Sequence, residues 1–206
     1  MRRIILVVTA LATLVAAGSA TAVKPAKVTI SLSRPAVVYG SSVKLSGTVS
    51  NHQAGEHVIV LGQPYAAATF TSIATTDTAA RGAWSYTASP VIQTSYKAQW
   101  NVATSQTVTV KVRPRIVLTL VSRTARRGTF SVEVDGNRPF TGKRVLIQRL
   151  TADGPVTVKR AVLDSSSTAT FTIRLPRHHA RVRVVMSASQ AAPGYIAGRS
   201  NVWKSS

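Results

Sequence analysis

Val43-Lys44-Leu45-Ser46-Gly47-Thr48-Val49 alternates apolar and polar positions along its length. Successive side chains of a strand point to opposite faces, so alternation with period two marks a strand buried on one side. The same alternation recurs in Thr107-Val108-Thr109-Val110-Lys111-Val112, in Phe130-Ser131-Val132-Glu133-Val134-Asp135 and in Thr170-Phe171-Thr172-Ile173-Arg174-Leu175. These runs are rich in Val, Thr and Ile, which suit a pleated surface. No sustained 3.6-residue apolar period follows residue 22. Glycine turns interrupt at short intervals, at Gly40, Gly55, Gly82, Gly128, Gly136, Gly142 and Gly154. Short strands with turns at this spacing predict an all-β sandwich or barrel.

The pattern repeats once. Strands are predicted near 27–32, 42–50, 57–63, 69–75, 83–88, 94–100 and 105–112, then near 115–122, 129–135, 143–150, 156–163, 168–175, 180–188 and 199–204. Each series opens with a β-rich segment, Val28-Thr29-Ile30-Ser31-Leu32 and Ile116-Val117-Leu118-Thr119-Leu120, and each ends its fifth strand at a proline, Pro90 and Pro176. A period of about 90 residues with seven strands fits one immunoglobulin-sized sandwich per half. The expected division is a signal peptide over 1–22, a first sandwich over 23–113 and a second over 114–206. The junction Val112-Arg113-Pro114-Arg115 is short, and proline restricts both itself and its predecessor, so a semi-rigid rod is expected.

Tyr39-Gly40-Ser41-Ser42-Val43-Lys44-Leu45-Ser46-Gly47-Thr48-Val49 resembles the start of the Ig-like domains of exported actinobacterial proteins. Ala54 to Val60 is similar to their third strand. Thr75-Thr76-Asp77, Gly82-Ala83-Trp84-Ser85-Tyr86, Pro90 and Thr94 to Ala98 resemble their second half, and Val108 to Pro114 their closing strand. The likeness covers 27–114; over 115–204 it extends only to the strand pattern. It implies two tandem immunoglobulin-like β-sandwiches and export, and it brings no catalytic residues, since one sandwich fold serves many functions.

The N-terminus agrees with export. Met1-Arg2-Arg3 precedes an uncharged apolar run from Ile4 to Ala17, followed by small residues ending at Ala22. This is the layout of a signal helix with cleavage after Ala22. The run is shorter than the roughly 20 residues that span a bilayer, so no transmembrane segment is expected in the mature chain. The 206 residues contain no cysteine, which excludes disulfides, thiolate metal sites and cysteine nucleophiles.

Leu45, Val49, Trp84, Tyr86, Tyr96, Ala98, Trp100, Val108, Val110 and Val112 are predicted to face inward in the first half. In the second half the same holds for Phe130, Val132, Val134, Phe171, Ile173, Leu175, Val182, Val184 and Met186, with Trp203 partly exposed. Trp84 and Trp100 are in phase with inward neighbours, which favours packing over a sugar-stacking role.

Little in the sequence suggests chemistry. His178-His179 is expected in a surface loop, and His52 and His57 are expected at exposed turn positions with only Glu56 beside them. Glu133 and Asp135 share a strand face, but further acidic ligands for calcium are missing. G-x-S-x-G, phosphate-loop and H-E-x-x-H patterns are absent. The chain is therefore read as non-enzymatic, with no cofactor and no metal.

Charge is the feature with functional reach. The chain has 26 Lys+Arg against 6 Asp+Glu, a net of +20. Residues 23–112 carry Lys24, Lys27, Arg34, Lys44, Arg81, Lys97 and Lys111 against Glu56 and Asp77. Residues 114–206 carry sixteen Lys+Arg against Glu133, Asp135, Asp153 and Asp164. Lys159, Arg174, Arg181 and Arg183 are placed on outward strand positions; Arg123, Arg126, Arg127, Arg138, Lys143 and Arg144 in turns. Arg126, Arg127, Arg144, Lys159, Arg174, Arg181 and Arg183 are the candidate polyanion-binding residues. The partners this implies are anionic cell-wall polymers or an anionic lipid surface, with no specific nucleic acid, because aromatics are not interleaved with the basic set. A compositional bias toward Arg would produce the same excess. The expected function is a secreted or envelope-associated, non-catalytic binding or adhesion module. The alternative is a structural spacer that binds another protein through sheet edges.

Overall fold

A computed structural model describes residues 25–176 and 179–205. The expected signal helix over 1–22 and His178 lie outside them. The first half comprises β1 (Ser31–Leu32), β2 (Ala36–Val38), β3 (Val43–Thr48), β4 (His57–Pro64), β5 (Thr71–Asp77), β6 (Ala83–Ala88), β7 (Thr94–Trp100), β8 (Ala103–Thr104) and β9 (Val108–Arg113). The second comprises β10 (Arg115–Arg123), β11 (Arg127–Asp135), β12 (Arg144–Thr151), β13 (Gly154–Val162), β14 (Thr168–Arg174), β15 (Arg181–Met186), the single-turn helix α1 (Ala188–Ala191), β16 (Gly198–Arg199) and β17 (Trp203–Lys204).

These strands build two tandem immunoglobulin-like β-sandwiches. In the first, a sheet ordered β1-β3-β6 faces one ordered β2-β9-β7-β4-β5, with β8 on β7. In the second, β10-β11-β14 faces β13-β12-β15-β16, with β17 also on β15. The internal repeat extends to register. Val60 and Ile147 are each the last residue before a β-bulge, and they pair with Ala98 and Val184. Buried Ser105 and Ser200 repeat one hydrogen-bond device. Each hydroxyl accepts from the backbone N–H of the neighbouring strand, at Ala98 and Val184, and donates to the next carbonyl in its own chain.

Alternation puts the apolar sets where expected. Leu45, Val60, Trp84, Tyr96, Ala98, Trp100, Val110 and Val112 are buried in the first half, and Phe130, Val132, Phe171, Val182, Val184 and Met186 in the second. Tyr86, Val108 and Trp203 are partly buried against this core. Trp203 meets Phe130 edge to face with centroids 5.0 Å apart. Each large side chain so buried stabilises by about 1.5–3 kcal/mol.

The departures from the expected strands have local causes. The predicted 27–32 strand is reduced to β1 and an isolated bridge between Val28 and Val49. There the Trp84 indole N–H donates to the Thr29 carbonyl at 3.2 Å. A Cβ at Gly47 would collide with that carbonyl and lie 2.7 Å from the indole nitrogen, so glycine is required for the crossing. After Pro35 the chain changes sheets and adds β2 in parallel to β9, a strand the alternation does not reveal. The predicted 180–188 strand ends at Met186 and turns into α1. The predicted 199–204 strand is split into β16 and β17. Between them Asn201 turns its side-chain amide to the facing sheet, accepting from Leu118 N–H at 2.9 Å and donating to its carbonyl at 3.0 Å.

Pro114 is the only residue between β9 and β10, but the halves also touch elsewhere. The segment after α1 lies against the first half. Gln93 N–H donates to the Gly194 carbonyl at 3.0 Å and Ile196 N–H to the Val112 carbonyl at 2.9 Å. The Tyr195 hydroxyl donates to the Val91 carbonyl and accepts from Asn137 N–H, both at 2.6 Å. Burial pushes the Tyr195 phenol up from its ordinary value, against the opposing pull of the Asn137 N–H, so the donor proton is held. Arg138 pins the same segment from behind. Its guanidinium donates to the carbonyls of Ala191 at 2.7 Å and Ala192 at 2.8 Å and lies 4.9 Å from the Phe140 ring centre. Arg138, expected in a solvent-facing turn cluster, therefore serves the seam, because its partners come from a segment more than fifty residues away.

Candidate functional site

Several groups that could carry polar chemistry are engaged in structural contacts. Glu56 accepts from the Trp100 indole N–H and the Asn51 amide, both at 2.8 Å. His57, expected to have no carboxylate nearby except Glu56, faces Asp77 across the β4–β5 ladder at 2.6 Å. That pair is created by strand register and is invisible to local sequence. Asp135 faces Arg115 at 4.0 Å. Among the described residues no three His, Cys, Asp or Glu side chains converge on one point.

The seven candidate basic residues separate into three places. Arg126, Arg127 and Arg174 meet at one end of the β10-β11-β14 sheet. Arg127 is the direct cross-strand partner of Arg174, and Arg126 and Arg174 line one depression with Leu175 and Pro176. Like charges placed opposite one another repel, so this pair persists at a cost that a bound anion would relieve. Arg144, Arg181 and Arg183 lie instead on the outer face of the five-stranded sheet, opposite in phase to buried Val145, Val182 and Val184. Lys159 belongs to neither group. Alternation predicts it outward and it is exposed, while its register partner is the core residue Ile147. Its ammonium donates to the Thr172 carbonyl on β14 at 3.3 Å. Lys159 is exposed on this edge strand, as expected, but the bulged ladder turns it toward β14 rather than onto the outer cationic face.

The outer face of the five-stranded sheet holds more cations than alternation alone predicts. Leu146 pairs with Arg160 on one side and Val185 on the other, and Val185 pairs with Arg199. Arg181 pairs with Lys204. Arg144, Arg160, Arg181, Arg183, Arg199 and Lys204 thus share one face, and β12, β13, β15, β16 and β17 contain no Asp or Glu. The sandwich's acids lie elsewhere: Glu133 and Asp135 on β11, Asp153 in the β12–β13 turn and Asp164 after β13. The alternation Arg181-x-Arg183 pointed to this face. Arg160, Arg199 and Lys204 were legible only through register, and Arg113, read as part of the linker, only through the docked seam.

No protein-family model matches the chain, and no curated protein matches it. Among solved structures it is similar to a tetra-tandem repeat in the extending region of a large adhesion protein, at 14% identity and a TM-score of 0.36. That similarity covers 87% of this chain and 49% of the other, so the chain spans about half the length of that structure. No helix among the described residues is long and apolar enough to cross a membrane.

Proposed function

We propose that the protein is an exported, non-catalytic binding or adhesion module that holds anionic envelope or extracellular polymers on the outer face of the larger sheet of its second sandwich. One observation carries this reading: a sheet face with six cationic side chains on strands that contain no carboxylate. Such a face attracts a flexible polyanion through summed charge and releases bound counterions when it engages. Arginine predominates, and its planar fork suits phosphate and carboxylate oxygens. The Arg127–Arg174 pair offers a second, smaller contact on the opposite sheet. The test is retention of the protein on purified cell wall and on soluble polyanions between 50 and 500 mM salt. Retention that falls steeply with salt supports the reading; binding indifferent to salt, or absent at 50 mM, defeats it.

A protein partner bound at a sheet edge is the second reading, favoured by β13. That edge strand exposes Val156, Val158 and Val162 to 48%, 37% and 57%. The bulge and the cations Lys159 and Arg160 on the same strand work against edge pairing, as such features commonly do.

A further inference from the structure

The seam between the sandwiches carries a more specific site than the open face around it. Arg113, from the last strand of the first half, and Arg183 and Arg199, from β15 and β16, line one depression of about 240 Å³ with Val185, Ala197 and Gly198. Two of the three guanidiniums are already oriented. Arg183 donates Nε–H to the Gln148 side-chain oxygen at 2.9 Å, which leaves its terminal fork unspent. Arg113 donates one N–H to the Ala197 carbonyl. A guanidinium has five donors, so most of the hydrogen-bonding capacity here is unused. No carboxylate lines the depression, and its other walls are apolar, which strengthens charge–charge attraction locally.

We infer that this depression is a binding site for a phosphate group, with the adjoining carbon skeleton lying on Val185 and Ala197. The inference rests on the polyanion reading and assigns it an anchoring point. The three guanidiniums come from separate strands, whereas the lone pairs of a carboxylate lie in one plane. The two free oxygens of a phosphodiester are tetrahedrally disposed and accept from outside a single plane, and bidentate guanidinium–phosphate pairing is the strong geometry. The site exists only while the 194–197 segment is docked, because Arg113 reaches it through that seam. The phosphate could belong to a poly(glycerol phosphate) chain or to a lipid headgroup, which present the same diester.

The test uses the full-length protein and titrates pyrophosphate, with citrate as the carboxylate contrast, following arginine Nε–H signals by NMR and affinity by calorimetry. The expected result is saturable one-to-one binding of pyrophosphate that shifts Arg113, Arg183 and Arg199. Affinity should weaken about tenfold or more in Arg199→Ala and in Arg183→Ala, and should hold in Arg127→Ala. Equal binding of citrate, shifts spread evenly over all arginines, or affinity unchanged in both variants would overturn the pocket. The broader reading is judged separately, because wall retention can persist through Arg144, Arg160 and Arg181 when the pocket fails. Soluble poly(glycerol phosphate) and phosphatidylglycerol vesicles then identify the source. Whichever binds wild type more tightly than Arg199→Ala supplies the phosphate, and loss of that difference for both overturns the site.

Discussion

The two larger sheets share their register but not their charge. Aligned on the bulges after Val60 and Ile147, His57 corresponds to Arg144, Thr75 to Arg160, Ser95 to Arg181, Lys97 to Arg183 and Thr104 to Arg199. Asp77, which partners His57, corresponds to Val162, which partners Arg144. The first face mixes Asp77 with Lys97, Lys111 and Arg113; the second has six cations and no carboxylate among Leu146, Val162 and Val185. The inward positions remain apolar in both: Val58 and Val145, Val60 and Ile147, Ala98 and Val184. The fold therefore constrains one side of each strand and leaves the other free to specialise, since a one-face change leaves packing and the hydrogen-bonded ladder untouched.

The largest expected effects fall on the shared side. Phe130→Ala should cost about 3–5 kcal/mol and Leu45→Ala about 2–5 kcal/mol, because both side chains are fully buried. Chemical denaturation of each variant checks this. A loss under 1 kcal/mol at either site would mean that the two cores are not built alike.

The next effect falls on the side that differs. Converting the second face into the first, with Arg144→His, Arg160→Thr, Arg181→Ser and Arg199→Thr together, should leave the far-ultraviolet circular dichroism unchanged. Affinity for a soluble polyanion at low salt should drop on the order of a hundredfold or more, with the salt slope falling by about one unit for each cation removed. A variant that keeps both affinity and slope would locate binding elsewhere, and Arg127→Ser with Arg174→Ser is then the pair to examine.

The seam gives the third comparison, between sandwiches that are docked and sandwiches merely linked. Tyr195→Phe removes the hydroxyl shared by Val91 and Asn137 and should cost roughly 1–3 kcal/mol, since both partners are left without it. Calorimetry should show one transition in the wild type and a split or broadened one in the variant. An unchanged single transition would show that Pro114, the backbone bonds at Gly194 and Ile196 and the Arg113–Ala197 bond suffice to hold the halves together.

What could be read without coordinates follows from the range of each interaction. Alternation is local, so Val43–Val49 and Phe130–Asp135 disclosed their strands and buried faces directly. β2 escaped because three residues, Ala36–Val38, acquire strand character only by pairing with β9 more than seventy residues later. α1 escaped because Ala188-Ser189-Gln190-Ala191 has no apolar stripe. Basic character in the second half was plain from composition. Arg144, expected in a turn, opens β12 instead, whereas Arg181 and Arg183 followed from phase. Arg113 and Arg199 did not, because they are 86 positions apart and meet only when Ile196 bonds to Val112.

The smallest effect separates two turns of the same design. Before β6, Ala79 N–H donates to the Ala83 carbonyl and Gly82 N–H to Ala79; before β14, Asp164 N–H donates to Thr168 and Ser167 N–H to Asp164. Gly82 and Ser167, at matching places in the two turns, are left-handed at φ +67° and +61°, and the first turn has a second left-handed residue in Arg81 at +62°. Glycine adopts that backbone freely, while serine does so at a cost. The second turn has a counterweight that the first lacks. The Asp164 carboxylate accepts from Thr168 N–H at 2.9 Å, from its hydroxyl at 2.8 Å and from Ser166 N–H at 2.9 Å. Those bonds, the Thr168 N–H foremost, hold the carboxyl below its ordinary value of 3.8. A lowered folded-state value means that the contribution is fully present above the unfolded pKa and is lost as pH falls through the folded one. Asp164→Ala should therefore melt below the wild type at pH 6, with the gap closing below pH 4. Ser167→Gly eases the backbone but removes the hydroxyl that accepts from the buried Phe140 N–H at 2.8 Å, so adding it should deepen the loss at every pH. A gap that persists unchanged to pH 2 would mean that Asp164 acts by packing rather than by charge.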